Sequence, residues 1–198
     1  SYCEEREYAA DENIRHSTRA TDFITPKSAV SRTFRDAVLK LAQDAPFARD
    51  LMNSGRLSTA TRLTASPLNT AERDYFSPAL APGAPLADAP VRLIDGDGTR
   101  ARWLLSHVGG EFAGLYFCDG TAPPESVVQA LVALSIQPVL VVPDGLRFHA
   151  RSASTAIWLE DAHGLLAQRC DARAGTFYLI RPDQHVCARW RVFDASAI

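Results

Sequence analysis

Residues 176–191 read TFYLIRPDQHVCARWR, and few structures can accommodate that stretch. Phe177 to Ile180 is a short apolar run of strand formers. Pro182-Asp183 supplies a turn, because Pro presets φ and Asp can bond its own backbone. Val186 to Val192 then alternates apolar and polar residues, the period of a strand. The segment is therefore expected to be a β-hairpin that closes the chain. Within it, Arg181 can pair with Asp183 or with Asp171 and fix the turn. Alternatively, Arg181 and His185 form a docking surface.

The region before the hairpin alternates strand and helix signals. Val91 to Ile94 reads as a short strand and Asp95-Gly96-Asp97-Gly98 as a turn. Arg102 to Val108 reads as a short helix stopped by Gly109-Gly110. Phe112 to Phe117 is an aromatic strand. Pro124 to Leu134 is a helix with Val127, Val128, Leu131 and Leu134 on one face, and Pro suits its first turn. Pro138 to Val142 is wholly apolar, as in the middle of a sheet. A weak strand around Leu146 to His149 and a helix from Asp161 to Arg169 complete the series. This order predicts an α/β fold with a thioredoxin-like domain: a central mixed sheet, flanking helices and right-handed crossovers in its parallel part.

The N-terminal part is helical in pattern. Tyr2 to about Thr21 is rich in helix formers, and Pro26 interrupts it. Val30, Phe34, Val38 and Leu41 then recur at amphipathic spacing. Pro46 stops or restarts the helix, and Phe47 to Met52 makes another helical turn or two. Asn53-Ser54-Gly55 is a stop signal, with Gly suited to a left-handed cap. From Ser54 to Pro90 the chain is rich in Ser, Thr, Pro and Gly, which predicts a linker. The expected organisation is a helical segment over 1–53, a linker over 54–90 and a thioredoxin-like domain over 91–198.

Composition narrows the function. The 198 residues include 21 basic and 23 acidic ones, for a net charge of −2. Such a balance gives no field to attract nucleic acid or anionic lipid, so neither is expected as a partner. The 46% hydrophobic fraction is that of a globular protein with a real core. Cys3, Cys118, Cys170 and Cys187 include no C-x-x-C pair. With no signal peptide evident, they point to a reduced, cytoplasmic setting. The opening Ser1-Tyr2-Cys3-Glu4-Glu5-Arg6 reads as mid-helix, so the chain is expected to be part of a longer protein.

A thioredoxin-like order would place redox chemistry in the loop between its first parallel strand and the following helix. The loop after the strand ending at Phe117 reads Cys118-Asp119-Gly120-Thr121-Ala122-Pro123, with one thiol and no resolving partner. The cis-Pro of redox-active relatives should precede the last hairpin, and Gly175 stands there. A peroxidatic Cys118 is the sharper alternative, but Asp119 beside it would oppose the thiolate. His185 and Cys187, with His163 or Cys170, could ligate a metal, although their spacing matches no usual zinc pattern. The 95–98 loop lacks the spaced oxygens of a calcium site. No G-x-G-x-x-G, P-loop or G-x-S-x-G occurs. No catalytic, cofactor-binding or metal residue is expected in this chain.

Several ordered segments resemble FAD-dependent aromatic hydroxylases. "SYCEEREYA" is similar to the Tyr-x-x-Glu-Arg-x-x-x-Ala helix that leaves their flavin domain. "NIRHSTRATDFITP" resembles its continuation in the subgroup around 3-(3-hydroxyphenyl)propionate hydroxylase. "NSGRLS" and "SPLN" resemble the loop leading onward, "PGAPLADAPV" the entry to the C-terminal thioredoxin-like domain, and "AGTFYLIRPDQHVCARWR" its end. The resemblance marks Gly175, Tyr178, Arg181, Pro182, Asp183 and Arg189 as the structural motif of that closing segment. It implies a catalytically silent C-terminal structural or docking domain of a monooxygenase that hydroxylates a phenolic substrate with NAD(P)H and oxygen. The FAD and NAD(P)H sites would lie upstream of Ser1. The implied partners are the upstream flavin domain and, in a homodimer, a second copy. Without that domain, Phe23, Ile24, Phe34, Val38 and Leu41 are expected to be exposed. The competing expectations are a stand-alone thioredoxin-like binding module and a single-cysteine redox protein using Cys118.

Overall fold

A computed structural model describes residues 2–52, 60–95, 98–120, 124–145 and 155–198. They divide into two compact units, Ser1–Leu63 and Thr64–Ile198.

The first unit holds α1 (Tyr2–Ile24), α2 (Ala29–Leu41) and α3 (Pro46–Met52). Pro26 separates the first two, and Ser28 caps α2 by accepting the Ser31 N–H at 3.0 Å. The Arg49 guanidinium ties α3 to the end of α2 by donating to the Ala42 and Gln43 carbonyls at 2.8 and 3.0 Å. Val38, Ala42 and Ala48 are buried. Val30, Phe34 and Leu41 fall on one side of α2 and stay exposed, as does Ile24. Of the five expected exposed residues, Val38 is therefore buried and Phe23 half-buried.

The second unit is a sheet of seven described strands. They are β1 (Pro90–Asp95), β2 (Gly98–Trp103), β3 (Ala113–Phe117), β4 (Gln137–Pro143), β5 (Ile157–Asp161), β6 (Phe177–Ile180) and β7 (Val186–Trp190). Two helices accompany them, α4 (Glu125–Ala133) and α5 (Leu165–Arg169). The strand order is β2-β1-β5-β4-β3-β6-β7. β3, β4 and β5 run parallel, and α4 makes the β3-to-β4 crossover. The β6–β7 hairpin adds antiparallel to β3, and the β1–β2 hairpin adds antiparallel to β5. This is a thioredoxin-like fold.

Both faces of the sheet are covered. Val139 and Val141 of β4 enter one core with Leu115, Leu159, Leu166 and Tyr178, while Leu140 and Val142 enter the opposite one with Ile94 and Trp158. Two-sided burial is why this strand reads as an uninterrupted apolar run. At Gly114 in β3, an added Cβ would lie 2.8 Å from Leu131 of α4 and 2.9 Å from Phe177. The helix therefore packs directly on the backbone of that strand. A register shift between β6 and β7 brings Val186 opposite Ile180, next to Ala188 opposite Leu179, and leaves Cys187 as the extra residue of a bulge.

Several expectations are corrected. The helix expected over 102–108 is the end of β2 followed by one 3-10 turn, Leu104–Ser106. β5 was not foreseen, and the helix expected from Asp161 begins at Leu165, after a 3-10 turn at Ala162–Gly164. The two compact units meet at Leu63/Thr64, inside the span read as a linker over 54–90. From Thr64 onward the chain belongs to the sheet unit. Thr70 donates its N–H to the Cys187 carbonyl at 3.0 Å, and Gly83 to that of Val186 at 2.7 Å. The expected stop signal at 53–55, the turn at 96–97 and the weak strand at 146–149 lie outside the described residues.

Candidate functional site

The carboxyl ends of the parallel strands are where an open α/β sheet places its chemistry. Here the ends of β3, β4 and β5 surround a cavity of about 360 Å³. Phe117, Val141 and Pro143 form its apolar walls, with Ala167, Ala172 and Ala174 from the chain that follows β5. Cys118 borders it, although its side chain packs with Leu140, Val142 and Trp158, and Asp119, Asp144, Asp161 and Arg173 complete the lining.

Each charged group has a structural reason to be there. Asp161, at the end of β5, accepts the Leu166 and Ala167 N–H groups of α5, both at 2.8 Å, and so anchors that helix. Arg92 of β1 faces Glu160 of β5 in register and reaches it at 3.0 Å. The same guanidinium nitrogen reaches Asp144 at 2.8 Å. Arg92, followed by the His163 N–H, holds the Asp144 carboxyl below the usual carboxylate range.

Cys118 sits where a redox centre would be, yet its surroundings oppose thiol chemistry. Burial first, and the Asp119 charge second, push its thiol up to about 12. A nucleophilic or exchanging cysteine needs its thiolate at neutral pH. Cys170 is likewise pushed up to about 12, mainly by burial. The Cys187 thiol is raised by burial and donates to the Leu68 carbonyl at 2.8 Å. All four cysteines are free, and Cys3 is the exposed one. Among the described residues, no three His, Cys, Asp or Glu side chains cluster to hold a metal ion. His185 Nδ1 instead lies 3.2 Å from the Asp183 carbonyl oxygen.

The motif of the closing segment gathers around the hairpin, with Gly175 adjoining the cavity wall at Phe117 and Ala174. Gly175 has φ +87°, a conformation that strains L side chains, and donates its N–H to the Phe117 carbonyl at 2.8 Å. Tyr178 is fully buried, and its hydroxyl donates to the Cys170 carbonyl at 2.5 Å. Burial, with Cys170 next, pushes that hydroxyl up to about 12. Arg181 pairs with Asp183 at 2.9 Å, one of the two partners expected, while Asp171 takes Arg191 at 2.7 Å. Arg181 and His185 are both buried, so neither presents a free side chain for docking. The Pro182 carbonyl accepts the Gly110 N–H at 2.8 Å.

Arg189 joins the hairpin to residues 72–77. It is buried, ion-pairs with Glu72, donates to the Ser77 carbonyl at 2.8 Å and lies 4.6 Å from the centroid of the Phe76 ring. Burial disfavours its charge, but Glu72 and Tyr178 outweigh that and hold the guanidinium ionised. Arg191 covers Phe76 at 3.7 Å and donates to the Tyr75 carbonyl at 2.9 and 3.1 Å. Residues 66–77 are thus strapped to the hairpin by arginines. Sequence reasoning missed Arg191, Glu72 and Asp74, which accepts the Arg191 N–H at 2.8 Å, and offered Asp171 to Arg181 rather than to Arg191. The signal was faint, two arginines at 189 and 191 set against acidic residues in a segment read as linker.

No protein-family model and no curated protein matches this sequence. Among solved structures, the chain is similar to the flavin-dependent monooxygenase PieE in complex with FAD and substrate, at 22% identity and TM-score 0.46, over 86% of this chain and 28% of that one. It is also similar to aklavinone-11 hydroxylase with FAD and aklavinone, at 16% identity and TM-score 0.46, over 67% of this chain and 23% of that one. The 2-Cys peroxiredoxin of Plasmodium vivax matches at 14% identity and TM-score 0.43, over 58% of this chain and 86% of that one. The chain thus spans under a third of the length of either monooxygenase. No helix among the described residues is long and apolar enough to cross a membrane.

Proposed function

We propose that this chain is the catalytically silent C-terminal portion of a cytoplasmic FAD-dependent monooxygenase that hydroxylates a phenolic substrate, and that it docks onto an upstream flavin domain. The motif resemblance supplies the family, including the subgroup around 3-(3-hydroxyphenyl)propionate hydroxylase. The observation that carries the docking role is the uncovered apolar side of α2, where Val30, Phe34 and Leu41 are exposed at 80%, 61% and 47%. An amphipathic helix gains its stability by burying that side, so its exposure supports a missing covering surface. The disarmed Cys118 supports a structural role over a redox one.

FAD itself does not suit the residues present. The cavity at the strand ends carries Asp119, Asp144 and Asp161, which would repel a pyrophosphate, and the sequence has no Gly-rich phosphate loop. Flavin chemistry is therefore assigned to the upstream domain, and no step of it to this chain. The role left to these residues is packing and positioning.

Reading the coding frame upstream of the Ser1 codon tests the assignment. A long open frame encoding G-x-G-x-x-G after a strand, with later Asp-Gly and Gly-Asp motifs, is expected. A start codon adjacent to the Ser1 codon would refute it. In the full-length protein, Phe34→Asp is expected to loosen docking and lower the melting temperature of the assembled enzyme.

A further inference from the structure

The sheet has two outer edges, and the chain treats them differently. Beyond β7 the chain doubles back: the Thr70 and Gly83 N–H groups reach the Cys187 and Val186 carbonyls, and Val186 donates to the Ala84 carbonyl at 2.9 Å. Beyond β2, among the described residues, no strand follows. The Leu104 N–H donates to the Ala89 carbonyl at 2.9 Å, which sets the phase of the β1–β2 ladder. Bonded pairs alternate along an antiparallel ladder, so Arg100 and Arg102 turn their backbone groups toward β1, and Ala101 and Trp103 turn theirs outward. The Trp103 carbonyl accepts the Ser106 hydroxyl at 2.6 Å, and the Ala101 carbonyl meets the Arg102 guanidinium at 3.4 Å. The Ala101 and Trp103 N–H groups have no acceptor among the described residues.

Side chains alternate as well. Arg100 and Arg102 stand on one face of β2 and Ala101 and Trp103 on the other, all four exposed and Trp103 at 57%. From Gly98 to Trp103 the strand has no acidic residue. Two copies joined antiparallel about Ala101 would set Arg100 of each opposite Arg102 of the other, and like charges directly opposite are unfavourable. The same arginines favour a strand whose carboxylates lie opposite them, with its intervening apolar side chains on Ala101 and Trp103. Charge alone is a common guard of an open edge, but a large exposed indole beside it is characteristic of recognition surfaces.

We propose that the outer edge of β2 is a docking site for an extended acidic segment of a partner protein, which adds beside β2 as a further strand. The Ala101 and Trp103 N–H groups and the Ala101 carbonyl pair with its backbone, and Arg100 and Arg102 select its charge. This edge does not rest on the docking role of α2.

The test is an amide chemical-shift titration of the full chain with two end-capped peptides of one pattern, Thr-Glu-Val-Glu-Val-Thr and Thr-Lys-Val-Lys-Val-Thr. Saturable shifts centred on residues 100–103, with slowed hydrogen exchange at the Ala101 and Trp103 amides, are expected for the acidic peptide and not for the basic one. Arg100→Glu and Arg102→Glu together should weaken the acidic peptide about tenfold and admit the basic one. Ala101→Pro removes an outward donor, spares the bonds to β1 and should abolish binding. Equal binding of the two peptides, a charge preference that survives the double reversal, or no saturable shift with either peptide would overturn the proposal. So would self-association that Ala101→Pro abolishes and Phe34→Asp leaves intact, which would give the edge to a second copy.

Discussion

The two units solve the problem of burial in opposite ways. In the sheet unit, the apolar cores are covered on both faces, and most polar groups that enter them have partners, His107 Nε2 being an exception. Tyr178 finds a carbonyl, Arg189 finds Glu72 and a ring, and Asp161 finds two N–H groups. In the helical unit the apolar side of α2 is left bare, with Val30 exposed at 80%. A surface that satisfies itself needs no neighbour, whereas one that does not marks where a neighbour belongs.

That contrast can be broken at several points. The largest effect is expected from Tyr178→Ala in the sheet core, which leaves a cavity and should cost about 4 kcal/mol in urea denaturation. A loss below about 1 kcal/mol would show that the core relaxes around the gap. Arg189→Ala should cost about 2 kcal/mol, since it removes a buried charge-assisted bond and a cation–π contact. Limited proteolysis should then cut residues 66–77 first. Phe34→Asp on the bare side of α2 should move the stability of the sheet unit by no more than about 0.5 kcal/mol. The chain is expected to self-associate through that side in sedimentation and Phe34→Asp to abolish it, and an unchanged sedimentation profile would remove the contrast. Native thiol titration at pH 8 should label Cys3 alone, with Cys118, Cys170 and Cys187 reacting only after denaturation.

The smallest effect is expected with pH. The Ser77 N–H and then Arg191 hold the Asp171 carboxyl below its ordinary value. A lowered folded-state value contributes stability above the ordinary carboxylate value and loses it as pH falls through the lowered one. Asp171→Asn should lower stability near neutrality, flatten the acid limb of the stability curve and converge with the parent protein once pH falls below the lowered value.

Legibility in the sequence followed how local each cause was. The closing hairpin was readable because its strands and turn are contiguous, and so were α2, α4 and β4, whose periodicity is their own. β2 was missed because Arg100 and Arg102 in GTRARW face solvent on an edge strand, which leaves no apolar alternation. β5 was missed because Glu160 and Asp161 end an apolar run, and their partners, Arg92 and the first turn of α5, are not adjacent in sequence. The strap was taken for linker for the same reason. It lies in a Pro-, Ser- and Thr-rich stretch with no strand or helix period of its own, and nothing local announces that Glu72 belongs to Arg189. Of the candidate site, Cys118 and its opposition by Asp119 were legible. The larger cause, burial, became visible only once the sheet was formed.

The strap also sets an order of assembly. Arg189 and Arg191 reach across 117 and 116 residues to Glu72 and Tyr75. On a ribosome, residues 66–77 emerge long before the hairpin that will hold them. Until then Phe76 has no arginine above it and Glu72 no counter-charge. Closing so long a loop is entropically late, and contacts of this span slow folding. The strap should therefore latch last, after the sheet exists, and a chain stalled before its final hairpin would carry Phe76 bare and ready to be recognised by a chaperone.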